Sequence, residues 1–410
     1  MNQSPSSSLW SWLNRTVLGI ALASLFSDWS HEIATAILPA FLGSLGAAAA
    51  WLGIIEGVSD GLSSFAKLGS GFYTDRLPRR KPIAFCGYLV TALATGAFSL
   101  ATTAWHVLIA RAAAWLGRGV RTPVRKALLA AAVDPSIYGR AFGFERAMDT
   151  LGAIVGPLTA LGLLVALPGN YRTVFAVTIL PGLVAAALIG LVVQEKKRAP
   201  VPHASFRERL GLLPTAYRRL LFAVGIFGAG AFAHTLLILL AAQRLTPSLG
   251  GAGAASAAVA LYVLHNVFYA GFSYISGLLA DRFPKDRLLA GGYALAALMA
   301  LAIIFLPAGI GPLALVFILG GVQVAIEETL EDSFCAELVE PAQHGMAFGV
   351  LATVNGIGDF LSSAVVGLLW SGMGQVAAFG YSAVLFFLGA VLALRVRPST
   401  SSSRPQSGKH

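Results

Sequence analysis

Gly71-Phe72-Tyr73-Thr74-Asp75-Arg76-Leu77-Pro78-Arg79-Arg80-Lys81 is a short charged loop wedged between two long apolar segments, and it occurs twice. Gly277-Leu278-Leu279-Ala280-Asp281-Arg282-Phe283-Pro284-Lys285-Asp286-Arg287 repeats the pattern G-x-x-x-D-R-x-P-(R/K), with Asp281 falling 206 residues after Asp75 in a chain of 410. The same offset relates Asp134-Pro135 to Glu340-Pro341, Gly139 to Gly345, Ala141-Phe142-Gly143 to Ala347-Phe348-Gly349, and Gly152 to Gly358. The chain therefore reads as two parallel repeats, each a membrane bundle of the kind from which many secondary transporters are built.

Composition points the same way. Hydrophobic residues make up 56% and charged residues 12%, with a mean hydropathy of +0.74; a soluble domain has a charged fraction nearer ~25%. The net charge of +10 comes without a basic run interleaved with stacking aromatics. It is read as a basic membrane-facing surface and not as a nucleic-acid site. Cys86 and Cys335 both lie in or beside apolar segments, so neither a disulfide scaffold nor a metal cluster is indicated. The Ser-rich stretch from Met1 to Asn14 shows no cleavage-like site, and the first apolar segment is read as retained.

A helix needs about 20 apolar residues to cross the hydrocarbon core, and this criterion gives twelve segments at roughly 16–46, 49–70, 82–103, 106–130, 140–166, 172–194, 219–243, 254–277, 288–307, 311–334, 345–371 and 376–395. The domains expected are an N-terminal six-helix bundle (1–194), a basic linker (195–218), a C-terminal six-helix bundle (219–397) and a disordered tail (398–410). The linker holds Pro200, Pro202 and Pro214, with a short amphipathic piece around Phe206 to Leu213. Inner loops would carry Arg76, Arg79, Arg80 and Lys81, then Arg125, Lys126 and Arg140, then Lys196, Lys197, Arg198, Arg207, Arg209, Arg218 and Arg219, then Arg282, Lys285 and Arg287; the outer loops hold only Arg172 and Arg244. Both termini are thus expected in the cytoplasm of a bacterial or archaeal cell, with the chain in its inner membrane.

The repeated loop resembles motif A of the major facilitator superfamily, G-x-L-a-D-r-x-G-r-k, which lies between the second and third helix of each half. Here Pro78 and Pro284 stand where that family usually has glycine. The resemblance implies an all-α membrane protein of twelve helices in two pseudo-symmetric bundles, rocking about a cavity lined by helices 1, 2, 4, 5, 7, 8, 10 and 11. It places Gly71, Asp75, Arg76, Arg79, Gly277, Asp281 and Arg282 in motif A, and the two aspartates are read as structural and conformational and not substrate-binding. Each aspartate would face the positive N-terminal end of the eleventh or fifth helix. Arg111 resembles the motif B arginine, with its glycines two residues late. Gly152-x-x-x-Gly156-Pro157 resembles motif C, the antiporter signature; the alternative is a packing motif with a proline kink.

Ionisable groups inside spans cost about 2.5 to 3.5 kcal/mol at mid-helix, so each needs a reason. Asp28, His31 and Glu32 share one face of the first span. An acid pair with a neighbouring histidine suits reversible protonation, because burial and like charge both penalise the ionised carboxyl; the alternative is satisfaction by helix-helix hydrogen bonds. Asp60 is a further coupling candidate on the second span, on a stripe with Glu56 and Lys67. Candidate cavity residues are Arg111, Arg118, Asp149, His234, His265, Asn266, Tyr269, Asn355 and Asp359. At the offset of 206, Arg121 maps to Glu327, Arg125 to Glu331 and Lys126 to Asp332. These opposite charges suggest a cytoplasmic ion-pair gate; the alternative is neutralisation of each cluster within its own half.

The resulting reading is a proton-coupled exporter of a small organic compound or drug, a monomer in contact with lipid, needing no cofactor. No nucleophile-base set or phosphate loop marks an enzyme. Two rivals stay open: an importer or facilitator of an anionic metabolite bound by Arg111 or Arg118, and a metal-ion or metal-chelate carrier using Asp28, His31 and Glu32. Five Met residues are too few for a soft-metal path.

Overall fold

The computed structural model describes residues 12–46, 50–195, 197 and 205–396. The tail 398–410 and the linker residues Lys196, Arg198, Pro200 and Pro202 lie outside the described residues. Regular structure among the described residues is helical: α1 Arg15–Ser44, α2 Ala50–Thr74, α3 Lys81–Gly96, α4 Ala104–Ala131, α5 Tyr138–Ala166, α6 Tyr171–Val177, α7 Ile179–Ala187, α8 Phe206–Leu212, α9 Thr215–Gly228, α10 His234–Ala280, α11 Lys285–Phe305, α12 Ile310–Leu338, α13 His344–Met373 and α14 Gln375–Ala393.

Helix ends follow local chemistry. The Asn14 side chain accepts from Thr16 N and Val17 N at 2.9 and 3.0 Å to start α1, and Ser205 with Glu208 forms a capping box on α8. Gly250, at φ 69°, turns the chain within α10 and divides it into two passes. Among the described residues eight helical stretches are long and apolar enough to span a bilayer, or nine if the bent pair Phe206–Leu212 and Thr215–Gly228 counts as one span. The remaining expected passes are α1, α2 and α4, whose charges dilute their hydropathy, and α9 with the first part of α10, which is broken at 229–233. In α1, α2 and α4, those charges are the candidate site residues.

Packing fixes how the halves sit. One hydrophobic core, running from Val17, Tyr88 and Phe142 to Tyr217, Phe334 and Phe348, is shared by both halves near the end that carries the Asp75 and Asp281 loops, called here the basic end. Toward the other end the cores separate: Ile33, Phe41, Val107 and Phe175 cluster in the first half, and Leu237, Leu261, Phe317 and Phe379 in the second. Apolar burial between the halves is thus concentrated at the basic end, while toward the other end each half closes on its own core.

Candidate functional site

The basic end is closed by a symmetric latch. Asp75, fully buried, accepts from the backbone N–H groups of Gly345 (3.0 Å) and Met346 (2.8 Å) at the start of α13. Its repeat mate Asp281 accepts from Gly139 N (2.7 Å) and Arg140 N (3.2 Å) at the start of α5. Each carboxylate satisfies otherwise unpaired amides and meets the positive end of a helix dipole from the opposite half. Glycine permits the approach: a Cβ on Gly71 would overlap the Gly345 carbonyl, and one on Gly277 the Gly139 carbonyl.

The cations around Asp75 differ from the expected set. Arg79 is exposed, and Arg80 is the buried residue that bonds the carboxylate. Arg80 is placed there because the backbone N–H groups of Arg80 and Lys81 donate to Glu195 at 2.6 and 2.9 Å, fixing the start of α3. Arg76 lies over the Phe72 ring at 4.1 Å, and Arg282 is exposed. Arg209, on the linker helix α8, reads from sequence only as one of the inner-loop cations, and its contact with Asp75 is not foreseen. Its side chain is 1% exposed and lies 3.1 Å from Asp75, while it also donates to Phe72 O at 3.2 Å.

In the first half, the mid-depth charges form a compensated network. Arg118 lies 3.2 Å from Asp28, and His31 lies 3.8 Å from Glu32. Arg111 bonds both carboxylate oxygens of Glu56 at 2.9 and 3.1 Å. Trp115 packs between them, with the Arg111 guanidinium 3.8 Å from its ring, the His31 ring at 4.4 Å, and its indole N–H donating to Asp60 at 2.6 Å. Gly152 and Gly156 of α5 press on this stripe of α1: a Cβ on Gly152 would lie 3.1 Å from the Asp28 Cβ, and one on Gly156 2.5 Å from the Glu32 Cβ. The Gly-x-x-x-Gly spacing thus lets α5 seat the acidic face of α1.

The expected gate is corrected in two of its three pairs. Arg125 turns into its own half, to Glu145 at 3.0 Å and Asp149 at 3.5 Å, while Glu331 accepts from Tyr293 OH (2.5 Å) and Asn355 Nδ2 (2.7 Å). Arg121 stacks on Tyr88 at 4.0 Å, and Glu327 accepts from Gln323 at 2.5 Å. None of these four crosses between the halves: Arg125 finds its counter-ions within its own half, while Arg121 is met there by an aromatic ring and Glu327 and Glu331 by neutral hydrogen-bond donors. Lys126 does cross, to Asp332 at 2.6 Å. Arg146, absent from the expected site, also crosses, to Glu328 at 2.8 Å and Asp332 at 3.6 Å. It stands three residues before Asp149 in an apolar span, a spacing that could have flagged it.

In the second half, a cavity of about 490 Å³ is lined by His234, His265, Glu327, Asn355 and Asp359 among others. The His234 and His265 rings are 4.8 Å apart. Tyr269 donates to Glu328, and Asn266 is buried beside His265 on α10. Among the described residues no three His, Cys, Asp or Glu side chains gather into a set able to hold a metal ion.

Two pseudo-symmetric helical halves, latched at one end around a polar cavity at mid-depth, define a multi-pass membrane transporter. The sequence profile of the Major Facilitator Superfamily matches residues 20–258 and again 220–410, and the chain belongs to that family; such proteins are transporters, not enzymes. An uncharacterized MFS-type transporter of Methanocaldococcus jannaschii is 26% identical over 383 residues, covering 93% of this chain and 95% of that one. The multidrug resistance protein MdtH of Photorhabdus laumondii is 31% identical over 117 residues, 28% of this chain and 29% of its own. Among solved structures, the human organic anion transporter MFSD10 superposes with a TM-score of 0.77 at 18% identity, over 95% of this chain and 100% of that one; at that identity the likeness is one of fold.

Proposed function

We propose that this chain exports a small organic compound across an inner membrane in exchange for protons, acting as a monomer with both termini in the cytoplasm. The observation that carries the reading is the Asp28–Arg118 pair at 3.2 Å, held at mid-depth beside His31, Glu32 and Asp149 while apolar burial between the halves is concentrated at the basic end. By the excess of cations the basic end is cytoplasmic, so protons reach this cluster from outside. Protonation of Asp28 discharges its pair with Arg118 and leaves that cation to the other carboxylates. A change in pairing between α1 and α4 then becomes a means of moving the halves.

Support comes also from the partial match to MdtH. The anionic-metabolite rival is disfavoured because Arg111 and Arg118 are already held by Glu56 and Asp28. The metal rival is disfavoured because Asp28 turns to Arg118 and away from a shared site with His31 and Glu32. The test uses everted vesicles energised to a pH gradient, with an acridine dye reporting proton release as organic compounds are added. Parent protein should release protons with at least one compound, and Asp28→Asn with Glu32→Gln should fold but release none. If the double variant couples as the parent does, coupling lies elsewhere, with Asp60 and Asp149 next in line.

A further inference from the structure

The second half carries more carboxylate than cation at depth, the reverse of the first, whose Lys126 and Arg146 reach across to it. From Arg219 to Val396 its cations are Arg219, Arg244, Arg282, Lys285, Arg287 and Arg395, every one near a helix end or turn. Its carboxylates Glu327, Glu328, Glu331, Asp332 and Asp359 sit near the middle of α12 and α13 or deeper toward the basic end. Cations of the first half reach Glu328 and Asp332, and Tyr293 and Asn355 serve Glu331. Among the described residues Glu327 has the amide of Gln323 and no ion pair, and Asp359 has no ion pair within 4 Å, although the charge of Lys67 acts on it from the first half. Both line the cavity of about 490 Å³.

A second feature points to what completes this cavity. His265 is 1% exposed. Its Nδ1 lies 3.2 Å from the carbonyl oxygen of Phe317, which can only accept, so the ring proton is assigned to Nδ1. That leaves Nε2 as a buried acceptor with no partner, in a ring that forms part of the cavity wall. Gly320 makes room for the imidazole: a Cβ there would stand 3.2 Å from Nδ1. Gly320, Gln323 and Glu327 follow at helical spacing down the same face of α12, so carboxylate and imidazole open on one space. Phe227, Phe232 and Tyr262 supply aromatic wall.

We propose that this cavity seats an organic cation, a protonated amine on an aromatic or alkyl body. Its charge lies against Glu327 and Asp359, an ammonium N–H is donated to His265 Nε2, and the body packs on Phe227, Phe232 and Tyr262. Anionic solutes would meet two carboxylates and no lysine or arginine among the lining residues, with Lys67 acting on Asp359 from the first half. Uncharged solutes would leave Glu327 without a counter-ion in a medium where isolated charge is costly. A lipophilic ammonium meets all three demands at once, with the aromatic faces adding cation–π attraction. The inference rests on the export reading for the direction of movement only.

The test is equilibrium binding to the purified full-length protein in lipid nanodiscs at neutral pH, with four probes of one body: phenylbutylammonium, phenylbutyltrimethylammonium, phenylbutanol and phenylbutyrate. Phenylbutylammonium should bind about tenfold or more tightly than the alcohol or the carboxylate, the margin of a charge-assisted hydrogen bond. Glu327→Gln should erase that margin for both cations and leave the alcohol unchanged. His265→Phe should remove the advantage of the primary ammonium over the trimethylammonium, which has no N–H to donate. Equal binding of the alcohol or the carboxylate by the parent overturns the proposal, as does an unchanged cation preference in a folded Glu327→Gln protein. Should Glu327→Gln fail to fold, Asp359→Asn is judged by the same probes and the same criteria. Cation binding without proton release would sink the export reading and leave this site standing; proton-coupled export of uncharged or anionic compounds with no cation preference would do the reverse.

Discussion

Arg209, on the helix that joins the two halves, and Asp75, at the end of α2, form a buried ion pair at 3.1 Å. The linker is thereby part of the latch and not only a tether. The mate of Asp75 has no such support: Asp281 pairs with Arg140, whose side chain is 29% exposed. Arg209→Ala should therefore weaken the basic-end closure by about 2 kcal/mol, since Asp75 keeps Arg80 and two backbone amides. The measure is alkylation of a reporter cysteine placed at Thr353, on the interface with α2, in a Cys86→Ser background. Unchanged labelling would reduce α8 to a spacer.

Asp75→Asn keeps one carbonyl oxygen but loses the charge that faces the α13 dipole and puts an amide N–H group against backbone donors. The closed form should weaken and the transport rate fall, while substrate affinity stays near that of the parent, because the cavity lies elsewhere. Rate and binding measured on one preparation separate these. Loss of affinity in a folded protein would place Asp75 in the binding machinery instead.

Gly71→Ala and Gly277→Ala test the latch by steric means. The added methyl meets a backbone carbonyl in each case, which cannot swing aside as a side chain would. Both variants should hold the basic end apart and raise labelling at the Thr353 reporter. Gly57→Ala and Gly61→Ala, where a Cβ meets nothing within 4 Å, should label as the parent does.

The fold was legible because hydropathy and a repeat offset are properties of the chain alone. The aspartate caps were legible too, since an acid at the end of one helix needs only a neighbouring helix start. The gate was misread for a physical reason. A pseudo-twofold relation between α4 and α12 makes Arg121 and Glu327, or Arg125 and Glu331, equivalent without making them neighbours. Only residues close to the axis meet, and Lys126 and Asp332 are such a pair. Arg121 and Arg125 are four apart and so share one stripe of α4, but that spacing does not say that the stripe faces Tyr88, Glu145 and Asp149. Arg209 could be assigned to an amphipathic helix, yet its destination depends on how that helix docks.

Lys126 and Asp332, 2.6 Å apart and both largely buried, are the cross-half contact that can act as a gate. They lie toward the basic ends of α4 and α12, so separating the halves there must break the pair, and entering water can resolvate both ions. Arg146 also reaches Asp332 at 3.6 Å, which makes the two single reversals unequal. Lys126→Glu sets two carboxylates together but leaves Arg146 between the halves, whereas Asp332→Lys gathers three cations. Asp332→Lys should be the more disruptive, and each should shift the equilibrium toward the form open at the basic end. A close, partly desolvated pair is worth about 1.5 kcal/mol or more, enough to move a two-state population more than tenfold. Combining Lys126→Glu with Asp332→Lys should restore part of the closed population, with Arg146 limiting the recovery. Labelling of the Thr353 reporter from the basic side of everted vesicles reads all four proteins. If the double reversal labels as strongly as Asp332→Lys alone, the pair is incidental, and closure rests on the aspartate caps and the glycine contacts.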